Sequence, residues 1–232
     1  MKLSKRKKQF IGLVDPKKSY SLTEAVAILK KAPRAKFDET VEVALKLAVD
    51  PKQSDQMVRG TVALPHGTGK SVRVAVFCRE NLQAKAREAG ADLVGADDVV
   101  EKVRKGEIDF DVAVSSPDMM KEVGTLGKIL GPRGLMPNPK VGTVTADVAK
   151  AVRELKSGRI EFKLDKQADI HVPVGKLSFT DEALSENISA LHQALLKARP
   201  ASVKGAFIQR MTVSSTMGPG VRLDTTQLKE TD

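Results

Sequence analysis

The chain has 232 residues, 41% of them hydrophobic and 29% charged, the balance of a folded globular protein rather than a disordered one. Its formal charge is +10, and its single cysteine, Cys78, excludes an intramolecular disulfide and a cysteine-based zinc site. No apolar stretch approaches the roughly 18 residues of a membrane span, and MKLSKRKKQFIGLV has too few apolar residues before Asp15 and Pro16 for a signal peptide, so a cytoplasmic protein is expected.

The charge is unevenly placed. Residues 1–36 hold eleven Lys and Arg against Asp15 and Glu24, a net +9, while the remainder holds 28 basic and 27 acidic residues. A basic arm on a nearly neutral body points to a polyanionic partner, nucleic acid or an anionic membrane surface. Residues 1–20 read as that arm, ordering on binding or packing late.

From Ser21, SLTEAVAILKKA sets Glu24 three residues after Ser21 and spaces Ala25, Val26, Ile28 and Leu29 on one face, which predicts a capped helix stopped by Pro33. Residues 37–49 alternate through Val41, Val43, Leu45, Leu47 and Val49 as a half-buried strand. A second strand is expected over 57–65. The polar DPKQSDQ between them predicts an antiparallel hairpin.

Beyond HGTGK the texture changes. SVRVAVFC, ADLVG and FDVAVSSP read as strands, separated by the helices ENLQAKAREAGA, closed by Gly90 as a left-handed cap, and DDVVEKVRKG. This alternation predicts a parallel sheet with flanking helices, Rossmann-like in outline. The run 124–143, GTLGKILGPRGLMPNPKVGT, follows with five glycines and three prolines, and Lys128, Arg133 and Lys140 with no intervening acid. It reads as a shaped, exposed loop suited to an anion. From about Gly158 the pattern is antiparallel again: strands RIEFKLD and ADIHVPVGKL, a long helix ended by Pro200, and a last strand entering a Gly-Pro-Gly turn.

The expected fold is therefore a discontinuous antiparallel α+β domain built from both termini, 1–66 and 159–232, with an inserted Rossmann-like parallel α/β domain over 67–158. Two sequential domains with a tail fit the same texture.

Catalytic signals are sparse. HGTGKS resembles the end of a phosphate-binding loop, but Leu64 stands where the first glycine belongs and a strand, not a helix, follows. Gly67 and Gly69 fit a hinge better. Gly90 and Gly95 lie outside one strand-to-helix turn, so no dinucleotide fingerprint forms. His66, His171 and His192 are scattered, with His192 expected at the surface or a boundary. Asp97-Asp98 and Asp109/Asp111 read as capping residues, and Cys78 as a small core residue. A nucleotide-dependent enzyme using the middle domain remains the alternative of another class.

With no Trp, one Tyr and seven Phe, stacking of single-stranded bases is a poor fit, and folded RNA read by shape, phosphate and ribose contacts is a better one. Two clusters qualify. In Lys36–Glu42, Lys36 can reach phosphate while Thr40 and Glu42 can hydrogen-bond ribose hydroxyls. In Ser214–Gly220, Ser215 and Thr216 offer hydroxyls, and the glycines allow close approach. Ordinary strand and turn chemistry accounts for both equally well on composition alone.

Residues 35–70, 124–144, 157–176 and 214–223, taken together, resemble the bacterial ribosomal protein L-one family of the large subunit, over nearly the whole chain. The resemblance implies two hinged domains, the hinge falling at Gly67, Gly69 and Gly158, and no enzyme activity or cofactor. It implies direct binding of 23S rRNA by the first domain, within a mobile stalk that accompanies release of E-site tRNA. It also implies repression of the chain's own operon by binding its mRNA, and a monomer when off the ribosome. The family's contact surface carries to Phe37, Thr40 and Glu42 and to Thr216, Met217 and Gly218, with Lys36 and Ser215 beside them. Arg210 stands where the family often has a smaller polar residue, and its role is open. Lys128, Arg133 and Lys140 then become a secondary contact to RNA or tRNA.

Overall fold

The computed structural model describes residues 5–10, 12–15, 17–203 and 205–225. Its first stretch holds helices α1 (Lys5–Phe10) and α2 (Leu22–Lys31) and strands β1 (Thr40–Leu47) and β2 (Arg59–Ala63). Next come β3 (Val74–Phe77), α3 (Glu80–Glu88), β4 (Leu93–Gly95), α4 (Asp97–Arg104), β5 (Val112–Ser115), α5 (Met120–Thr125), α6 (Gly127–Leu130) and α7 (Val148–Lys156). The last stretch holds β6 (Arg159–Lys163), β7 (Asp169–Lys176), α8 (Asp181–Lys197), β8 (Ile208–Ser215) and β9 (Gly220–Leu223). Two compact units result, Met1–Gly69 with Ile160–Asp232, and Lys70–Arg159.

The first unit is antiparallel α+β. Its four-stranded sheet has the order β7-β1-β8-β9, with β1 antiparallel to both neighbours. Alternation decides which side of β1 is core: Val41, Val43, Leu45 and Leu47 are buried, while Thr40, Glu42, Ala44 and Lys46 face the other way. Against the buried side pack Ala25, Val26 and Leu29 of α2 and Leu184, Ile188, Leu191 and Leu195 of α8. Helix α2 starts where the sequence places it, because the Ser21 hydroxyl accepts from Glu24 N–H and the Glu24 carboxylate accepts from Ser21 N–H. Pro173, which lacks an amide proton, sits on β7, an edge strand.

The hairpin expected between β1 and β2 does not form. Both edges of β1 are taken by β7 and β8, and β2 pairs instead with β6 in a separate two-stranded sheet. Residues 50–56 include a 3-10 turn, Ser54–Gln56, rather than a tight reversal. Gly60 marks the alternative pairing, since a Cβ there would lie 2.6 Å from the Phe162 ring of β6. The expected last strand is likewise two: β8 and β9 form an antiparallel hairpin across residues 216–219. The expected basic arm contains helix α1 and ends at Tyr20, which bridges Leu223; Met1–Ser4, Ile11 and Pro16 lie outside the described residues.

The second unit is a parallel sheet of order β4-β3-β5. Central β3 is buried on both faces, and its side chains alternate between two cores. Val74 and Val76 meet Ala86 of α3 and Val148, Ala151, Val152 and Leu155 of α7. Ala75 and Phe77 meet Val99, Val100 and Val103 of α4 with Val123, Leu126 and Leu130. This is the Rossmann-like pattern, with helices on both faces. Helix α7 was legible but unread: Asp147 caps it by accepting from Lys150 N–H at 3.1 Å, and Val148, Ala151, Val152 and Leu155 fall at helical spacing.

The run 124–143 is more folded than an exposed loop. Leu126 and Leu130 are buried, Leu135 and Met136 pack against the same core, and α6 is itself helical. Near its end the Thr143 hydroxyl accepts from Asn138 N–H at 2.8 Å and closes a turn. The apolar residues of the run thus hold it down, while its glycines and prolines shape the backbone between them.

Candidate nucleic-acid interface

The surface around β1 and β8 is organised by a side chain that the sequence reading passed over. Glu39 is 1% exposed. Its Oε1 accepts from Ala35 N–H at 2.7 Å, and its Oε2 accepts from the Ser215 hydroxyl at 2.7 Å and from Met217 N–H at 3.0 Å. Its carbonyl accepts from Leu177 N–H at 2.8 Å. Burying a carboxylate is costly unless hydrogen bonds replace its water, and these donors do so. Parity was the available signal: Glu39 is in phase with Val41, Val43, Leu45 and Leu47, so alternation alone turns it inward. The β1–β8 register pairs Val41 with Ser215, which brings Glu39 opposite Met217.

Around this carboxylate the expected contact residues separate into two kinds. Phe37 and Met217 are large apolar side chains left in solvent, 55% and 46% exposed. Lys36, Glu42 and Thr216 are exposed, and Thr40 is half-buried. The Thr216 hydroxyl accepts from Thr40 N–H at 3.0 Å and bonds the Thr40 carbonyl at 3.2 Å, locking the ends of β1 and β8 together. Lys176 donates to the Thr40 hydroxyl at 3.0 Å, and Asp38 accepts from the Ser178 hydroxyl at 2.8 Å and its N–H at 3.2 Å. Ser215, expected to offer its hydroxyl, is buried and spends it on Glu39. Gly218 donates to the Ser215 carbonyl at 3.1 Å, and a Cβ on it would overlap the Ser215 hydroxyl. The result is a rigid polar turn beside two exposed apolar side chains.

The open sheet face continues from this surface. Its outward residues include Glu42, Lys46, His171, Arg210, Thr212, Ser214 and Arg222. In the second unit Lys128 and Arg133 are exposed, while the side chain of Lys140 lies outside the described residues. Gly67, Gly69 and Gly158 all adopt positive φ, at 63°, 71° and 98°. Asn187, buried on α8, accepts from His66 N–H at 3.1 Å and donates to the Gly67 and Val174 carbonyls at 3.0 and 2.8 Å.

Two features of the described residues of the second unit disfavour a nucleotide. A strand, β3, follows HGTGK, and the crevice of about 570 Å³ near the carboxyl ends of β3 and β4 is lined by Glu80, Asp97 and Glu122 against Arg79. Three carboxylates oppose a triphosphate there. Asp97 and Asp98 lie in the first turn of α4 rather than capping it, since Ala96 holds the cap position. Asp111 instead accepts from Arg73 N–H. Among the described residues no group of His, Cys, Asp and Glu could hold a metal ion, and no helix is long and apolar enough to cross a membrane. His192, expected near the surface, is 2% exposed because it faces inward on α8 with Leu191 and Leu195. Cys78 is buried, and burial pushes its thiol pKa up, as befits a core residue.

Comparison with known proteins identifies the family. The Ribosomal protein L1p/L10e family matches residues 29–219. Large ribosomal subunit protein uL1 of Chlamydia pneumoniae is 55% identical over 229 residues, covering 97% of this chain and 99% of that one. The protein of the same name from Chlamydia trachomatis serovar L2b is 58% identical over 214 residues, 92% of each chain. That of Solidesulfovibrio magneticus is 52% identical over 229 residues, covering 99% of this chain and 97% of its own. A match across most of the chain, on a fold of one antiparallel α+β unit and one parallel α/β unit, makes this chain a member of the Ribosomal protein L1p/L10e family, a ribosomal protein and not an enzyme.

Proposed function

We propose that the chain is a constituent of the cytoplasmic large ribosomal subunit that binds 23S rRNA directly, through Lys36, Phe37, Thr40, Glu42, Thr216, Met217 and Gly218. The observation that carries this reading is the pairing of exposed Phe37 and Met217 with the polar turn that Glu39 fixes. Apolar contact to a ribose or base edge, next to hydroxyls and backbone held in place, selects a folded RNA shape without a stacking platform. Ser215 acts in this reading as a support for the turn rather than as a contact.

The binding domain is taken as 1–66 with 159–232, and the inserted domain as 67–158. Gly67, Gly69 and Gly158 act as the hinge, and the Asn187 bonds to His66 and Gly67 fix its near side. The hinged domain, with Lys128, Arg133 and Lys140, offers a secondary contact to RNA or to E-site tRNA during its release. The same rRNA surface binds the chain's own operon mRNA and represses its translation. Off the ribosome the chain is a monomer.

Cross-linking the protein in a cell extract and sequencing the bound RNA tests the reading. Recovery of one 23S rRNA segment together with the leader of its own operon is the expected result. Recovery of unrelated RNAs in proportion to their abundance would reduce the protein to a general polyanion binder.

A further inference from the structure

The open face of the four-stranded sheet is basic well away from Glu39. Lys46 of β1, His171 of β7, Arg210 and Thr212 of β8 and Arg222 of β9 surround one groove of about 530 Å³. The register makes this a single site: Thr212 pairs with Ala44 on one side and Arg222 on the other, and Arg210 pairs with Lys46. Among the described residues the one carboxylate lining the groove, Asp169, is engaged by Lys46 at 3.5 Å. Glu42 lies one outward position further along β1.

Arg210 is exposed and Arg222 half-buried, and neither guanidinium has a hydrogen-bond or ion-pair partner among the described residues. Two unpaired like charges at neighbouring sheet positions repel each other, and both guanidiniums keep N–H donors that no protein group occupies. The repulsion is relieved when a ligand supplies anionic oxygens. The planar fork of arginine suits phosphate in particular, donating an N–H to each of two of its oxygens at once. Arg210 of β8 also lies six residues before Thr216, which directly follows that strand, about 20 Å at the rise of a strand. The nearly neutral body of the chain therefore concentrates free positive charge in line with the proposed rRNA surface.

We propose that bound RNA runs from the Phe37–Thr216 surface along the open sheet face and seats backbone phosphates on Arg210 and Arg222. This rests on the rRNA-binding reading above. It gives Arg210 a role: at a position facing the groove, a guanidinium reaches a phosphate that a small polar side chain would leave to water.

The test is a filter-binding titration of the full chain with 23S rRNA over a salt series. Arg210→Gln/Arg222→Gln is expected to lower affinity tenfold or more at low salt and to reduce the slope of log K against log salt by about one to two, since each lost phosphate contact removes about 0.7–0.9. Arg210→Lys/Arg222→Lys should keep the slope, because the charge remains. Thr216→Ala should lose affinity at unchanged slope. If the double glutamine variant melts below the assay temperature, Arg210→Gln alone, at an exposed position, should still cost about one unit of slope. Wild-type slope and affinity in the glutamine variants would overturn the phosphate track while leaving the Phe37–Thr216 surface in place. Failure of the unmodified chain to prefer 23S rRNA over an unrelated RNA at matched salt would overturn both.

Discussion

Glu39 has no contact with solvent to offer, yet the Ala35 backbone, the Ser215 hydroxyl and the Met217 amide all converge on it. Glu39→Gln keeps the shape and turns one oxygen into a donor, which then faces donors. Hydrogen bonds to a charged acceptor are worth about 1.5–3 kcal/mol each. We expect the variant to lose about 2–3 kcal/mol in urea denaturation and to bind RNA more weakly, because Met217 is no longer held. Full RNA affinity in Glu39→Gln would show that the turn keeps its shape without the carboxylate. Gly218 gives a sharper test by coupling. Gly218→Ala pushes the Ser215 hydroxyl off Glu39 and should cost about 1–2 kcal/mol, whereas Ser215→Ala removes bond and obstacle together. The double variant should then be little worse than Ser215→Ala alone, a non-additivity that a double-mutant cycle measures. Strict additivity would mean the two positions do not interact.

At the level of elements, the entry of β3 depends on two aspartates. Asp92 accepts from Val74 N–H at 2.7 Å and from Lys156 Nζ at 2.6 Å, and Asp111 accepts from Arg73 N–H at 3.1 Å. The Lys156 hydrogen bond, with help from the Val74 amide, holds the Asp92 pKa below the ordinary aspartate value; for Asp111 the Arg73 amide is the main cause. A folded pKa below the unfolded one stabilises above the unfolded value, and that stability is lost as the pH falls through the folded one. The stability that these groups supply should therefore begin to fade below about pH 4. Asp92→Asn should have a shallower acid limb in a thermal melt followed against pH; an identical limb would remove Asp92 from the account.

The same scale shows why only part of the fold was readable. Alternation in β1, the capping box of α2 and the strand–helix rhythm of the second unit are local signals, and the structure follows them. Pairing partners are not local. A strand such as β2 carries no mark of whether β1 or β6 will lie beside it, and Gly60 gains meaning only once Phe162 is opposite. The run 124–143 misled for a related reason: its glycines and prolines dominate its composition, while Leu126 and Leu130 decide where it sits. At the candidate surface, hydroxyl chemistry singled out Thr216, while Phe37 came only from the family resemblance. The inward partners Glu39 and Ser215 were visible only through strand parity, which polar chemistry obscured.

For the molecule as a whole, the polar anchor in the first unit is Asn187, whose amide is fully used on His66, Gly67 and Val174. Asn187→Ala leaves two carbonyls and one amide short of partners in or near the core and should cost about 2–4 kcal/mol. Hydrogen exchange should show the loss in the first unit, with β3 and β5 as protected as before. Equal loss of protection in both units would mean that they unfold as one body. The sheet of the first unit also has a consequence in time. Thr40 and Thr216 are 176 residues apart in sequence, and β1 stays without either neighbour until β7 and β8 have been made. Lys70–Arg159 is continuous and can fold during synthesis, whereas the opening 69 residues must wait for the far end of the chain. A nascent chain released before residue 208 would lack β8 and the turn that follows it. On the proposed RNA-binding reading, a chain that stops short of β8 should not compete for RNA, so such fragments would not act as counterfeit ligands.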